Sequence, residues 1–245
     1  MYGIEQGNQM IEKTLLGILG LLLAAPVVIA EPVTTAAPEQ TAQRAVLVTG
    51  ASTGIGRKIT ERLAAEGWFV YAGARKDKDL AELDAIENVQ SVRLDVTSAA
   101  DIAAAVETIT KAGRGLYGLV NNAGVSLRTP LLETKEEDFH YVMDVNVYGP
   151  YRITKAFGPL VIAGNGRITT ISSIAGILSP PGLGVYSMSK HAMEAFGDAL
   201  AAEMAPLGVQ VSLVEPGNFR SEISRTAAKR TGVESPQADR SQYPE

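Results

Sequence analysis

The chain has 245 residues, which suits one globular domain with additional segments. Its formal net charge of −5 excludes the basic surface expected of a nucleic-acid-binding protein. The absence of cysteine excludes disulfide bonds and thiolate metal sites. Two histidines, His140 and His191, are too few for a histidine metal centre, so no metal site is predicted and both are expected to be structural or surface residues.

The first feature along the chain is an almost wholly apolar segment from Leu15 to Ala30, with Lys13 before it and a glutamate after it. Its length suits the core of a signal peptide better than a membrane span of about 20 residues. Residues 1–30 are therefore predicted to be a signal-like or membrane-anchor segment. The proline- and threonine-containing stretch over 31–43 is predicted to be a linker.

Short apolar runs then alternate with helical patterns. Strands are predicted at 45–49, 68–72, 89–94, 116–120, 167–172 and 209–214. Helices are predicted at 55–66, 79–86, 99–112, 134–158 and 184–205, and Thr134 with Glu137 forms a capping-box pattern at the start of the fourth. The alternation predicts an α/β fold with a doubly wound parallel sheet and helices on both faces.

A glycine-rich turn lies between the first strand and the first helix. Glycines let the backbone turn sharply and approach a pyrophosphate, and the helix N-terminus adds free N–H groups and a favourable dipole. The strand–turn–helix context therefore predicts a Rossmann-like dinucleotide site. The residues predicted to bind the cofactor here are Gly50, Ser52, Thr53, Gly54, Ile55 and Gly56.

The end of the second strand bears on which dinucleotide binds. NAD-binding proteins usually place a carboxylate there, but position 74 is Ala. Arg75 follows directly and can form forked, charge-assisted hydrogen bonds with a 2′-phosphate. The sequence therefore favours NADP as the cofactor, with NAD as the alternative.

Tyr186 and Lys190 are four residues apart in a predicted helix, which places both side chains on one face, one turn apart. A lysine ammonium beside a phenol favours the phenolate, so the pKa of Tyr186 is expected to lie below its usual value of ~10. Tyr186 could then exchange a proton near neutral pH. Together with the dinucleotide turn, this pair predicts hydride transfer coupled to proton transfer.

Three further motifs follow predicted strands. Asn121-Asn122-Ala123-Gly124 follows the fourth strand, Ser172-Ser173 ends the fifth, and Pro216-Gly217 follows the sixth. Ligands of an open parallel sheet bind beyond the carboxyl ends of its strands. All of these motifs are therefore expected at one ligand-binding edge.

In this order the motifs resemble those of the short-chain dehydrogenase/reductase family, main Tyr-x-x-x-Lys type. The resemblance covers residues 44–221, the predicted Rossmann-like catalytic domain. The family's catalytic serine precedes the tyrosine by thirteen positions, which selects Ser173 rather than Ser172. Nucleotide-sugar epimerases and dehydratases share the Tyr-x-x-x-Lys pattern but have a Gly-x-x-Gly-x-x-Gly turn, which this chain lacks.

The resemblance implies that Tyr186 is the general acid/base and that Ser173 stabilises the reacting oxygen. It also implies that Lys190 holds the nicotinamide ribose and that Asn146 orders a water linking Lys190 to solvent. Further cofactor contacts are implied at Asp95, Val96, Asn122, Ala123, Gly124, Tyr186, Lys190, Pro216 and Gly217.

The substrate is expected to be an alcohol or ketone of rather apolar character. The side chains expected to line the approach to Tyr186 are Leu178, Pro180, Pro181, Leu183 and Val185. Related proteins pack the helices predicted at 134–158 and 184–205 between subunits, which implies a homodimer or homotetramer. Family domains usually continue further, so 222–245 is expected to be an incomplete substrate-loop region and the domain a truncated one.

Two questions have alternatives. Hydride transfer favours an uncleaved anchor through residues 15–30 with a cytosol-facing domain, whereas cleavage would give an exported, periplasmic protein. The alternative function is that of a non-catalytic dinucleotide-binding sensor or scaffold. Related non-catalytic proteins usually lose the tyrosine or the lysine, and both are present here.

Overall fold

The computed structural model describes residues 43–217 and 223–231. The predictions for the segment 1–30, for the linker up to residue 42 and for most of 222–245 lie outside the described residues. Of the catalytic domain predicted over 44–221, the last four residues also lie outside them. None of the described helices is both long enough and apolar enough to cross a membrane.

Six parallel strands form one sheet in the order β3-β2-β1-β4-β5-β6. The strands are β1 Ala45–Val48, β2 Phe69–Ala74, β3 Val89–Arg93, β4 Gly118–Asn121, β5 Arg167–Ile171 and β6 Gln210–Val214. Strand order runs outward in both directions from the β1–β4 pair. This switch point opens a crevice at the carboxyl ends of β1 and β4, where an open sheet binds ligands.

The helices connect successive strands and cover the sheet. They are α1 Gly54–Ala65, α2 Asp77–Asp84, α3 Ala99–Lys111, α4 Glu136–Met143, α5 Gly149–Ala163, α6 Gly184–Met204 and α7 Ile223–Thr231. Alternate residues of β1 belong to two buried clusters, one shared with α1 and α2 and the other with α3 and α5. Burial of β1, β2 and β4 on both faces explains their near-continuous apolar runs, and the helices on both sides of the sheet confirm the predicted doubly wound fold.

The helix predicted over 134–158 is built differently. It begins at Glu136, passes through one turn of π-helix at Asp144–Tyr148 and continues to Ala163. The predicted capping box is wrong, because the Thr134 hydroxyl donates to the Pro130 carbonyl at 3.0 Å and contacts the Thr129 hydroxyl at 2.7 Å. Thr134 closes the preceding 3₁₀ turn, Leu131–Glu133, and the helix has no side-chain cap.

Candidate active site

The turns after β1 and β4 are joined by hydrogen bonds at the crevice. The Thr49 hydroxyl oxygen accepts from the backbone N–H groups of Asn122 and Ala123, each at 3.0 Å. The Asn122 side-chain amide donates to the carbonyls of Thr49 and Gly50 at 2.9 and 3.1 Å. These hydrogen bonds hold the motifs at 49–56 and 121–124 together at one edge of the sheet, as their positions at strand ends predict.

The glycine turn has the close approaches that require glycine. Gly50 and Gly54 have φ values of +64° and +57°, which L side chains rarely adopt. A Cβ on Gly56 would lie 2.3 Å from the Asn122 Nδ2 atom and 2.4 Å from the Gly50 carbonyl oxygen. Thr53, the N-cap of α1, makes no side-chain cap hydrogen bond. The first-turn N–H groups of α1 thus have no capping side chain, which fits a bound pyrophosphate.

Arg75 and Asp95 meet beside this turn. Arg75 is exposed after β2, and its Nη1 donates to Asp95 Oδ2 at 3.4 Å. Asp95 Oδ1 accepts from the N–H and hydroxyl of Thr97 at 2.9 and 2.7 Å. Burial opposes ionisation of Asp95, but the Thr97 hydrogen bonds and the Arg75 charge outweigh it and hold the Asp95 pKa below its ordinary value.

Val96 and Arg93 are neighbours of the Arg75–Asp95 pair. The Val96 side chain is buried and would collide with a Cβ on Gly149, so it packs away from the crevice against α5. Arg93, which the sequence analysis missed, donates to the Arg75 carbonyl at 2.6 Å and pairs with Asp77. Parallel pairing of β2 with β3 places Arg93 beside Ala74. Aligning the ends of these two predicted strands would have indicated that Arg93 lies near Arg75.

The four predicted catalytic residues come together next to the crevice. The Ser173 hydroxyl lies close enough to the Tyr186 phenol to lower its pKa. The Lys190 Nζ atom lies 5.7 Å from the centroid of the Tyr186 ring. A Cβ placed on Gly124 would lie 3.4 Å from Asn146 Oδ1 and 3.8 Å from Lys190 Nζ, which locates both side chains at the same glycine.

The expected lowering of the Tyr186 pKa is wrong. Burial raises the pKa of Tyr186, and the nearby Ser173 hydroxyl only partly offsets that effect. The Lys190 ammonium donates instead to the Ile171 carbonyl, at 2.9 Å. Burial lowers the pKa of Lys190 itself to about 8, against an opposing effect of Glu194. Desolvation is therefore the largest effect on the pKa values of both Tyr186 and Lys190. The spacing of residues along a helix does not reveal how deeply their side chains are buried.

Asn146 is fully buried in the π-helical turn and joins two elements. Its Oδ1 accepts from the Val125 N–H, and its Nδ2 donates to the Val125 carbonyl, both at 2.8 Å. Nδ2 also donates to the Ser189 hydroxyl at 3.0 Å. Both Nδ2 protons are used, so Oδ1 is the atom with remaining capacity to hold the water implied by the resemblance.

The side chains expected to line the approach to Tyr186 differ in exposure. Leu178 and both prolines, Pro180 and Pro181, are exposed, and Leu183 is half-buried. The prediction for Val185 is wrong, since its side chain points into the hydrophobic core and is only 2% exposed. Further exposed apolar side chains on neighbouring turns, which the sequence analysis missed, are Leu131, Leu132, Ile174 and Ile177.

The remaining predicted residues occupy peripheral positions. The Pro216 carbonyl accepts from the Ile174 N–H at 3.1 Å, which places Pro216-Gly217 beside the Ser173 turn. His140 and His191 are both exposed; His140 Nε2 lies 3.3 Å from Glu136, and His191 Nδ1 lies 2.9 Å from the Ser187 carbonyl. In the described ranges, no group of three or more histidine, cysteine, aspartate or glutamate side chains could hold a metal ion.

Known proteins match this chain over most of its length. The model of the short chain dehydrogenase family matches residues 44–232. The rat mitochondrial D-beta-hydroxybutyrate dehydrogenase is 36% identical over 217 residues, covering 82% of this chain and 63% of that protein. Human retinol dehydrogenase 16 is 37% identical over 184 residues, covering 73% of this chain and 58% of that protein. The chain thus spans less than two thirds of the length of these relatives.

Solved structures show the same architecture. A short-chain dehydrogenase from Streptomyces avermitilis has a TM-score of 0.69 and 36% sequence identity, covering 73% of this chain and 67% of that chain. A short-chain dehydrogenase/reductase from Burkholderia phymatum, solved in complex with NAD, has a TM-score of 0.72 and 29% identity, covering 83% of this chain and 74% of the other.

Proposed function

Because the chain belongs to the short-chain dehydrogenase family, we propose that it transfers hydride between NADP(H) and an alcohol or carbonyl group of an apolar substrate. The observation that carries the proposal is the meeting of Ser173, Tyr186 and Lys190 beside the crevice bordered by the glycine turn. A serine, a tyrosine and a buried lysine at the ligand-binding edge of such a sheet suit proton transfer to a substrate oxygen.

A nicotinamide cofactor supplies or accepts the hydride when it is bound. In this proposal the first turn of α1 and the glycine turn hold its pyrophosphate, and Asp95 accepts from the adenine amino group. Lys190 and Tyr186 hold the ribose, with Asn122, Ala123, Gly124 and the Pro216-Gly217 backbone as further contacts. The hydrogen bonds between Thr49 and Asn122 support this assignment, because they fix the glycine turn before any ligand binds.

Tyr186 moves the proton. In the reductive direction its Oη donates to the carbonyl oxygen, while Ser173 Oγ donates a hydrogen bond to the same oxygen and stabilises its developing charge. Burial keeps the phenol protonated, which suits a resting proton donor. In the oxidative direction the nearby Lys190 ammonium would stabilise the phenolate.

Arg75 supports NADP as the preferred cofactor. Its guanidinium is exposed beside the glycine turn, and its contact with Asp95 is long, at 3.4 Å, so it is free to turn towards a 2′-phosphate. Arg93 donates to the Arg75 carbonyl and so helps to fix the backbone that carries Arg75, while its own charge is paired with Asp77. Since a related structure contains NAD, cofactor preference is a measurable property of this site rather than a family constant.

Exposed apolar side chains near Ser173 support a substrate that is largely apolar. Ile174, Ile177, Leu178, Leu131 and Leu132 expose large hydrophobic surfaces on the turns beside Ser173 and α6. Clustered apolar exposure of this kind usually marks a binding surface. A long-chain or polycyclic carbonyl compound would cover it, whereas a small hydroxy acid would not.

Two further proposals concern location and assembly. Residues 15–30 would hold the protein at a membrane with the domain facing the cytosol. Protease protection of intact cells together with N-terminal sequencing of the full-length protein would test this; a periplasmic form beginning at Glu31 would contradict it.

The assembly proposal is a homodimer or homotetramer, which sedimentation would detect. It is supported by exposed side chains on the two helical regions expected between subunits: Tyr148, Tyr151 and Met188.

The test of function is a turnover assay on the purified full-length protein. NADPH and NADH would each be offered with decanal, retinaldehyde, cyclohexanone and acetoacetate, and oxidation followed at 340 nm. We expect NADPH-dependent reduction of the apolar carbonyl compounds and little reduction of acetoacetate. Cofactor binding by calorimetry without any turnover across a broader panel would contradict the enzyme proposal and favour a dinucleotide-binding sensor or scaffold.

A further inference from the structure

Glu194 lies one helical turn beyond Lys190 on α6, and its carboxylate accepts a hydrogen bond from the Ser172 hydroxyl. Ser172 is buried and sits directly between Ile171 and Ser173. The Ile171 carbonyl in turn accepts from Lys190. Two adjacent residues at the end of β5 are thus held by two side chains one turn apart on α6, since residues i and i+4 share a helix face.

The space for this contact depends on Gly176. A Cβ on Gly176 would lie 2.7 Å from Glu194 Oε1 and 2.9 Å from Ser172 Oγ. Gly176 ends the 3₁₀ turn Ile174–Gly176, whose N-cap is Ser173. The turn that begins at the catalytic serine therefore closes directly onto the Ser172–Glu194 pair.

We propose that Glu194 is a positioning residue: with Ser172 it clamps the Ser173 turn against α6, so that the hydroxyls of Ser173 and Tyr186 meet one substrate oxygen. The proposal rests on the catalytic roles proposed above for Ser173 and Tyr186. Neither Glu194 nor Ser172 would touch the substrate. Both act by fixing the distance between β5, which leads into one catalytic hydroxyl, and α6, which carries the other.

The same carboxylate also acts on Lys190. Burial lowers the pKa of Lys190, and the negative charge of Glu194 partly raises it again. Within residues 43–217 and 223–231, the groups that face Lys190 from other elements are the Ile171 carbonyl of β5, Gly124 after β4 and Asn146 of the π-helical turn, and Glu194 is the one charge that shifts its pKa. On α6 itself the neighbours are Tyr186 and Glu194. Removing the Glu194 charge should therefore make Lys190 lose its proton at a lower pH.

Three full-length variants separate these effects. Glu194→Gln keeps a side-chain acceptor for Ser172 but removes the charge, and Ser172→Ala removes the hydrogen bond but keeps the charge. Asp198→Asn is the matched control, because Asp198 is an exposed carboxylate on the same helix. Each variant would be assayed with NADPH and decanal, and the Lys190 titration followed by NMR of lysine labelled with ¹³C at Cε, assigned with Lys190→Met.

For Glu194→Gln we expect the Lys190 pKa to fall by about one unit and the alkaline limb of the rate profile to move down with it. For Ser172→Ala we expect kcat to fall about tenfold, with the KM for NADPH within about twofold, because only the catalytic geometry loosens. Asp198→Asn should match the wild type in all three measurements.

The proposal is overturned if Ser172→Ala and Glu194→Gln both keep kcat and the Lys190 titration near wild-type values, or if Asp198→Asn changes them equally. Glu194→Asp provides a second variant should Glu194→Gln not fold; partial retention of kcat there supports the clamp, and full retention contradicts it. A wild-type protein that turns over nothing would refute the enzyme proposal, while the Lys190 titration would still decide whether Glu194 controls that site.

Discussion

The glycine turn after β1 and the cluster around Tyr186 lie at the same edge of the sheet but are built in different ways. The turn depends on the backbone: positive φ values, a position without room for a Cβ and helix N–H groups without a capping side chain. The cluster depends on side chains that burial has shifted from their ordinary pKa values. Damage to the first should therefore appear as lost cofactor affinity, and damage to the second as lost turnover.

The largest effect is expected for Tyr186→Phe. The variant removes the hydroxyl that exchanges the proton but keeps the ring that packs on α6. We expect kcat to fall at least ~10²-fold, the lower end of the range for general acid/base catalysis. Calorimetric affinity for NADPH should fall by no more than about fivefold, because the Tyr186 hydroxyl is only one of several proposed cofactor contacts. A large loss of NADPH affinity would break the division between the two regions, and near-normal turnover would remove Tyr186 from the mechanism.

Lys190→Met should separate activity from stability. Keeping a buried lysine protonated at a pKa of about 8, against ~10.4 in the unfolded chain, costs roughly 3 kcal/mol at neutral pH. This cost is present in full below pH 8 and disappears as the pH rises towards ~10.4. Allowing about 1 kcal/mol for the lost hydrogen bond to Ile171, we expect the variant to be more stable by about 2 kcal/mol at pH 7.

Urea unfolding at pH 7 and pH 10 measures this difference. The gain over the wild type should be largest at pH 7 and close to zero or reversed at pH 10. Turnover should be lost at both values. A variant that is less stable than the wild type at pH 7 would show that Lys190 is not a buried charge held at a cost.

Much of both regions could be predicted from the sequence. Strand positions and the doubly wound order follow from the alternation of apolar runs with amphipathic patterns, and each motif falls at a strand end. The errors have two causes. Val185 turns into the core and the Tyr186 pKa rises because neighbours distant in sequence decide burial. Thr134 instead bonds within the turn just before it, a local alternative to the capping box. Glu194 and Arg93 were missed because only tertiary pairing places them at the site.

Gly56→Ala tests the backbone region. The added Cβ would meet the Gly50 carbonyl, a backbone atom that cannot swing aside, as well as the Asn122 amide. Relief requires movement of the turn, so we expect a loss of NADPH affinity of about tenfold and destabilisation of about 1–3 kcal/mol. Under saturating NADPH, kcat should recover to near the wild-type value. Gly67→Ala is a control at the end of α1 where a Cβ would meet nothing within 4 Å, although its φ of +84° adds some strain there.

The smallest effect is expected at Arg75, because an exposed guanidinium contributes less than a buried group and salt screens it. Ala74→Asp combined with Arg75→Ser places a carboxylate at the end of β2 and removes the fork available to a 2′-phosphate. We expect the ratio of NADPH to NADH affinity to fall about fivefold, with kcat unchanged when each cofactor is saturating. The single variant Arg75→Lys keeps the charge but loses the fork, so its affinity ratio should lie between those of the wild type and the double variant.

The variant Arg93→Gln tests whether the second arginine contributes, since Arg93 lies one strand further from the crevice. If the wild-type protein already binds NADH more tightly than NADPH by calorimetry, Arg75 serves Asp95 rather than a phosphate, and the cofactor edge is built for NAD.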